Sequence, residues 1–134
     1  MVFHILFTGG AMWRRFGLSS AFLLSFIAMT NSASAEVFTC LADPSKRLSI
    51  DSGGSVLVDI DGAGIINICS LSNGDRGVTK EACAGWYSTL LTYRFQKAKA
   101  RLYFNQEYYG MAGVTSCPAL GDWHARTPYY IEPG

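Results

Sequence analysis

The sequence has few of the residues that catalysis and nucleic-acid binding require. Its 134 residues include two histidines, and only His124 lies after residue 35. Nine of the eleven basic residues and all ten acidic residues lie from Glu36 onward, so residues 36–134 carry a net charge of −1. A near-neutral chain has no cationic excess with which to attract nucleic acid or an anionic membrane. We therefore expect no nucleic-acid partner.

Several sequence motifs of catalysis and metal binding are also absent. No C-x-x-C occurs, which excludes a thioredoxin-like redox site, and no G-x-S-x-G marks a serine nucleophile. Residues 59–64 resemble the start of a twelve-residue calcium loop. Counted from Asp59, however, the twelfth residue is Ser70 instead of the bidentate glutamate that such a loop needs. One histidine and four cysteines that export would oxidise make a zinc site improbable. The sequence predicts no metal and no cofactor.

The N-terminal region has the three parts of a secretory signal peptide. Arg14 and Arg15 precede an apolar run at 16–29, and Ala33-Ser34-Ala35 is a small-residue cleavage signal. The run is shorter than the ~20 apolar residues that span a bilayer, so an uncleaved anchor is the less favoured alternative. We expect residues 1–11 to be an upstream start-site extension, 12–35 a signal peptide and 36–134 one secreted or periplasmic domain, with no stable membrane insertion after cleavage.

All four cysteines, Cys40, Cys69, Cys83 and Cys117, follow the predicted cleavage site. An even number of cysteines in a small exported domain indicates two disulfides. Three connectivities are possible. We favour Cys69 with Cys83 as a local bridge and Cys40 with Cys117 as a bridge between the two ends of the domain.

Alternating apolar residues predict strands at 38–41, 47–51, 55–61 and 65–71, of which the last three form a meander. The inward-facing side chains expected in its first hairpin are Leu48, Ile50, Val56, Val58 and Ile60. A helix is predicted from an N-cap at Thr79 to about Gln96, with Glu81 in its first turn. Its expected apolar stripe is Cys83, Trp86, Tyr87, Leu90, Leu91 and Phe95. Gly85 either weakens the helix or permits a close approach to the sheet.

After the helix, the pattern returns to period two. A strand at 99–105 is expected to turn Ala100, Leu102 and Phe104 inward, and one edge strand is predicted at 129–132. The fold class is therefore α+β: a small antiparallel sheet or a partly closed OB-like barrel, with one helix and two disulfides.

Aromatic residues concentrate in the last third of the chain and are the most suggestive feature for function. Amphipathic tyrosine and tryptophan rings at loops and edges commonly serve recognition. The candidate binding residues are Tyr103, Tyr108, Tyr109, Trp123, Tyr129 and Tyr130. The alternative is that these rings fill a second small core beneath the C-terminal loops. Arg101, Asp122 and Arg126 are possible polar contacts.

The order of a strand meander, the helix 79–96 and the strand 99–105 resembles small bacterial OB-type barrels, including the receptor-binding subunits of pentameric enterotoxins. The sequence is also similar to short exported bacterial proteins that carry Ile-Cys-Ser-Leu, here 68–71, before Glu-Ala-Cys-Ala-Gly-Trp-Tyr, here 81–87. These resemblances imply a shared fold and the possibility of an oligomer. They transfer no binding residue and no activity.

Two classes of function follow from these observations. The first is a noncatalytic binding or interaction module that recognises a protein or a glycan through its aromatic surface; a periplasmic enzyme inhibitor would differ only in the partner. The second is a small hydrolase using His124, which requires a serine, aspartate or glutamate side chain within hydrogen-bonding reach of the imidazole. We expect the binding module.

Overall fold

A computed structural model describes residues 36–134. These form an α+β fold of one six-stranded antiparallel sheet, one α-helix and one short 3-10 helix. The elements in chain order are β1 Val37–Ala42, β2 Leu48–Ile50, β3 Ser55–Ile60, β4 Gly64–Ser70, α1 Lys80–Gln96, β5 Ala100–Asn105, the 3-10 helix Pro118–Leu120 and β6 Tyr130–Pro133. Each predicted strand and the predicted helix lies within two residues of its observed position. The predictions for residues 1–35 lie outside the described residues.

Helix α1 begins and ends as its sequence predicts. The Thr79 side-chain oxygen accepts a hydrogen bond from the backbone N–H of Ala82 at 3.2 Å, which satisfies one of the free donors of the first turn. At the other end Lys97 adopts a left-handed conformation with φ 52°, and its N–H donates to the carbonyl of Arg94. The chain therefore leaves the helix in position to start β5 three residues later.

The sheet joins the meander β2-β3-β4 to a second group of strands, β1-β5-β6. Strand β3 pairs with β2 and β4, while β1 pairs with β5 over six residue pairs and touches β3 only at Ala42↔Ile60. The sheet does not close through a strand ladder. One isolated parallel bridge, Asn67↔Ala125, holds the chain before β6 against the outer edge of β4.

A β-bulge in β4 decides which of its residues reach the core. Val56 pairs with Cys69 but Leu57 pairs with Asn67, so Ile68 is an extra residue on β4. As a result the adjacent residues Ile68 and Cys69 are both buried, although strict alternation would expose one of them. Cys69 can therefore reach the helix, while Asn67 stays on the outer face.

Both favoured disulfides are present. Cys69 bonds to Cys83 in the first turn of α1, and Cys40 in β1 bonds to Cys117 just before the 3-10 helix. The first bridge fastens the helix to β4. The second, which spans 77 residues, fastens the C-terminal part of the chain to the middle of the sheet.

The core confirms most inward-facing residues and corrects two expectations, and it decides between the two alternatives for Gly85. Ala100, Leu102 and Phe104 are fully buried, as are Cys83 and Leu90 of the helix. Two other expected core residues are exposed, Ile50 at 43% and Phe95 at 86%. Ile50 ends the short edge strand β2 and Phe95 lies in the last turn of α1, so both extend past the apolar face that they would join. Nothing lies within 4 Å of a Cβ built on Gly85, so this glycine makes no close approach to the sheet.

The C-terminal connection, residues 106–129 between β5 and β6, is irregular but contributes to the core. Met111, Val114 and Leu120 are buried in the same cluster as the strand side chains. Arg126 fastens the connection from within: its Nε donates to the carbonyl of Leu120 at 2.9 Å and its Nη1 to that of Gly110. The expected second small core is thus aliphatic, and it is continuous with the main one.

Within residues 36–134 no helix is long and apolar enough to cross a membrane. Both disulfides are formed and no free cysteine remains in this part of the chain, as is typical of proteins in oxidising compartments.

Candidate functional site

Five of the six candidate aromatic residues are exposed, and Tyr103 is half-buried. Their exposed fractions are Tyr108 39%, Tyr109 68%, Trp123 60%, Tyr129 37% and Tyr130 51%. The rings therefore do not fill the interior under the connection. The structure separates them into one cluster of four and two rings that lie elsewhere.

The cluster, called here the tyrosine cluster, consists of Tyr103, Tyr108, Tyr129 and Tyr130. The Tyr103 ring contacts Tyr130 at 5.5 Å and Tyr129 at 6.2 Å between centroids, and Tyr129 contacts Tyr108 at 5.7 Å. Tyr103 and Tyr130 are cross-strand partners in β5 and β6. Tilted and edge-to-face rings at these distances attract one another, so each ring limits its neighbours' rotamers.

A carboxylate lies at one border of the tyrosine cluster. The Tyr103 hydroxyl donates to Oε1 of Glu132 at 2.5 Å, and Nη1 of Arg101 lies 3.4 Å from the same oxygen. The three side chains share one face because Arg101 pairs with Glu132 across the two strands. The hydrogen bond to Glu132 raises the pKa of the Tyr103 phenol, so this hydroxyl stays protonated and remains a donor.

The sheet extends this face beyond the four rings. Across β5, the cross-strand partners of Asn105, Tyr103 and Arg101 are Val37, Thr39 and Leu41 of β1. Val37 is 50% exposed and Leu41 38% exposed. Successive strand residues alternate between faces, so these β1 side chains share the outer face with the tyrosines. The result is a solvent-facing surface that combines aromatic, aliphatic and charged groups on regular backbone.

Tyr109 lies outside the cluster. A Cβ built on Gly77 would come within 3.3 Å of its ring carbon Cε2, so the ring lies close to the loop before α1. At 68% exposure it is the most exposed tyrosine among the described residues.

Trp123 also lies apart from the tyrosines. The guanidinium of Arg47, at the start of the meander, lies 5.5 Å from its ring centroid, within range of a cation–π interaction. The backbone N–H of Trp123 donates to the carbonyl of Ile65 in β4 at 2.6 Å. Along the chain the buried residues Thr127 and Pro128 lie between Trp123 and the tyrosine cluster.

His124 has the surroundings of a surface residue. It is exposed, and its Nδ1 lies 2.9 Å from the backbone carbonyl of Asp122. The carboxylate of Asp122 instead accepts the N–H of Ile65 at 2.7 Å. Among residues 36–134 no serine, aspartate or glutamate side chain is hydrogen-bonded to the imidazole, so the arrangement required for a His124 hydrolase is not assembled there.

The described residues contain no group of histidine, cysteine, aspartate and glutamate side chains suited to holding a metal ion. An open depression of about 630 Å³ is lined by residues of the loop before α1 and its first turn, 72–75 and 77–81. None of the six candidate aromatic residues lines it.

The sequence did not predict three residues that contact these surfaces or support them. Arg47 and Glu132 are ordinary charged residues until the fold brings them to Trp123 and Tyr103. Arg76 is a half-buried connector: its Nε donates to Thr127 at 2.7 Å and its Nη2 to Asn67 at 3.1 Å. Arg76 also pairs with the adjacent Asp75, but the other partners of these residues lie between 9 and 76 positions away, and no local pattern signals such contacts.

Comparisons with known proteins give no match among family models, curated proteins or solved structures.

Proposed function

We propose that this protein is a noncatalytic binding module and that the tyrosine cluster is its recognition surface. The observation that carries the proposal is a set of four tyrosine rings in mutual contact on an outward face, three of them exposed. Contiguous exposed aromatic side chains are costly in water and mark interaction sites in other proteins.

The surroundings of the rings support the same function. Tyr103 and Tyr130 belong to paired strands, the Tyr129 ring contacts Tyr103, and the Tyr108 ring contacts Tyr129. Tyrosine has two side-chain torsions, and packing already restricts them here, so little conformational entropy remains to be lost on binding. The hydroxyl groups supply polar contacts at the rim of an apolar surface.

An OB-like arrangement is part of the proposal. What supports it is the order of a meander, a helix and two further strands, with a parallel bridge between β4 and the chain before β6. In OB folds the loop between the last two strands takes part in binding. The corresponding loop here is the C-terminal connection, which carries Tyr108 and Tyr129.

The ligand of this surface is a protein or a glycan. If the protein partner is an enzyme, this chain is its inhibitor, which is the alternative given above. The cluster consists of neutral rings with one ion pair, Arg101 with Glu132 at 3.4 Å, at its border. Such a surface favours apolar and hydrogen-bonding partners over polyanions.

Alanine substitution at Tyr108 and Tyr130 tests the recognition surface. Both side chains are partly exposed and make ring contacts, so truncation should leave the fold intact and lower affinity for a glycan or protein ligand at least about tenfold, as for hot-spot residues. Ligands would be sought on a glycan array and by pull-down from periplasm. Tyr109→Ala removes an equally large ring outside the cluster and is the matched control.

The proposal fails if the two cluster variants bind every identified ligand as well as the parent does. It also fails if either variant unfolds while Tyr109→Ala does not, because the rings would then serve stability. Circular dichroism and urea unfolding separate these outcomes from a loss of binding.

Export completes the proposal: a signal peptide at 12–35 directs the chain to the periplasm or the medium and is removed after Ala35. The two disulfides support it, since they form in oxidising compartments. Intact-mass measurement of the exported chain should give a first residue of Glu36, and a mass that retains earlier residues would contradict it.

A further inference from the structure

Trp123 has a backbone conformation that its own side chain disfavours. Its φ is 61°, in the left-handed region that glycine and asparagine adopt readily and bulky residues rarely do. Its ring is nevertheless 60% exposed and contributes little to the core. Strained residues of this kind persist where the surrounding structure enforces them, and they cluster at binding sites.

The surrounding structure holds the backbone of Trp123 through groups other than the indole. The backbone N–H of Trp123 donates to the Ile65 carbonyl, and the Asp122 carboxylate accepts a hydrogen bond from the backbone N–H of Ile65 at 2.7 Å. Gly64 makes room for that carboxylate, because a Cβ built on it would lie 2.5 Å from Oδ1 of Asp122. Any residue except proline would offer the same backbone N–H at position 123, and glycine would do so with less strain.

Arg47 gives the exposed indole a charged neighbour with free hydrogen-bonding capacity. Its guanidinium lies over the Trp123 ring, and within the described part of the chain it forms no ion pair. The adjacent Lys46, by contrast, pairs with Asp61 at 3.1 Å. A guanidinium packed on an aromatic ring keeps its N–H groups available at its edge, where they match a carboxylate in a two-point hydrogen bond.

We infer that Trp123 and Arg47 form a second docking site, separate from the tyrosine cluster, for a partner protein segment that presents an aspartate or glutamate beside an apolar side chain. The carboxylate binds the guanidinium of Arg47, and the apolar side chain packs on the indole. Tryptophan and arginine are, with tyrosine, enriched among energetic hot spots of protein interfaces.

The shape of the site favours a protein over a small ligand. Small-molecule sites are concave and bury most of their ligand, whereas the Trp123 side chain is 60% exposed. The indole instead stands out beside the outer edge of β4. The unpaired positive charge of Arg47 selects an acidic segment.

Selection of random peptides displayed on phage against the disulfide-bonded chain tests this inference. The enriched peptides should carry an aspartate or glutamate next to an apolar residue. For a synthetic peptide of that sequence, Trp123→Gly and Arg47→Gln should each weaken binding tenfold or more, and exchange of the peptide glutamate for glutamine should do the same. Arg47→Lys keeps the charge but not the two-point geometry, so it should weaken peptide binding less than Arg47→Gln does.

Two controls distinguish recognition from folding and from the tyrosine cluster. Trp123→Gly should leave Tm unchanged or higher, because glycine accepts the left-handed backbone. Tyr108→Ala should leave peptide binding unchanged; if it removes binding while Trp123→Gly does not, the tyrosine cluster is the site and the present inference is wrong.

Three further results would overturn the inference. One is the absence of any enriched peptide relative to an unrelated disulfide-bonded protein, and another is enrichment of peptides without an acidic residue. The third is a pair of observations: no acidic peptide binds, but a glucuronate-containing oligosaccharide does, and its binding requires Trp123. That result would assign the site to a sugar.

Discussion

The meander β2-β3-β4 and the C-terminal connection are held in place by different kinds of bonds. The meander is a ladder of backbone hydrogen bonds between neighbours in sequence, and its inward residues alternate with outward ones. The connection is held by side chains and by a bridge to a distant strand: Arg126 donates to two of its carbonyls, Arg76 bonds Thr127, and Cys117 bonds Cys40.

This difference explains where the exposed aromatic residues lie. Backbone pairing leaves the outer face of a strand free, so Tyr103 and Tyr130 can lie on that face without loss of structure. The connection supplies Tyr108, Tyr129 and Trp123, whose positions depend on a few long-range bonds. Irregular segments positioned by a rigid scaffold are where binding residues are commonly found.

Removal of either disulfide should give the largest loss in the free energy of unfolding. Comparison of the two losses shows which region depends more on its bridge. The chain-entropy model predicts a loss of about 4.5 kcal/mol in the free energy of unfolding for Cys40→Ala with Cys117→Ala, and about 3 kcal/mol for Cys69→Ala with Cys83→Ala. Urea unfolding of the two double variants measures both. A larger loss for the shorter bridge would mean that anchoring the helix matters more than anchoring the connection.

Arg76→Ala should produce the next largest effect. It removes the bonds to Thr127 and Asn67 and the ion pair with Asp75, and it leaves the fully buried Thr127 hydroxyl without this donor, which should lower the free energy of unfolding by about 2 kcal/mol. Hydrogen exchange should quicken at the amides of Asn67 and Arg126, which join the connection to β4.

The control for Arg76 is Arg101→Ala, which removes an arginine that is 44% exposed and paired with Glu132. Its expected cost is below about 1 kcal/mol, as for surface ion pairs. Equal losses in the two variants would show that the connection does not depend on its half-buried arginine.

A smaller effect is expected from the acid dependence of stability. Lys99, at 2.5 Å, and Lys46 lower the pKa of Asp61, which follows β3. A carboxyl whose pKa is lower in the folded chain stabilises the fold fully above its unfolded pKa, and this contribution disappears as the pH falls through the folded pKa. Asp61→Asn should therefore flatten the decline in stability between about pH 5 and pH 2.

Urea unfolding across that range of pH checks the Asp61 prediction. Asp61 is one-third exposed, so high salt should reduce the difference between variant and parent. If the decline of stability at acid pH is the same in Asp61→Asn as in the parent, these exposed ion pairs contribute nothing measurable to the stability of the meander.

Local patterns were sufficient for the secondary structure because helix and strand periods are properties of neighbouring residues. Thr79 caps the helix as predicted, and the alternation of Ala100, Leu102 and Phe104 identified β5 and its inward face. The same patterns were wrong for Ile50 and Phe95, because a stripe shows which side of an element is apolar but not how far the neighbouring elements extend.

The exposed aromatic residues were recognisable from the sequence as a group, but their arrangement was not. Whether Tyr108 meets Tyr129 or Trp123 depends on the path of 24 irregular residues, 106–129, which have no period to read. Tyr109 and Trp123 were expected alongside the four clustered rings, and the fold places each of them elsewhere.

By itself the sequence determined the α+β class, the bounds of the helix and strands and the number of disulfides, since each follows from local periodicity, capping or cysteine count. Tertiary structure alone decided the bulge at Ile68, the pairing of β1 with β5, the contact of Arg47 with Trp123 and the grouping of four tyrosines on one face. The physical reason is that these features depend on contacts between residues far apart in the chain, which only the packed sheet brings together.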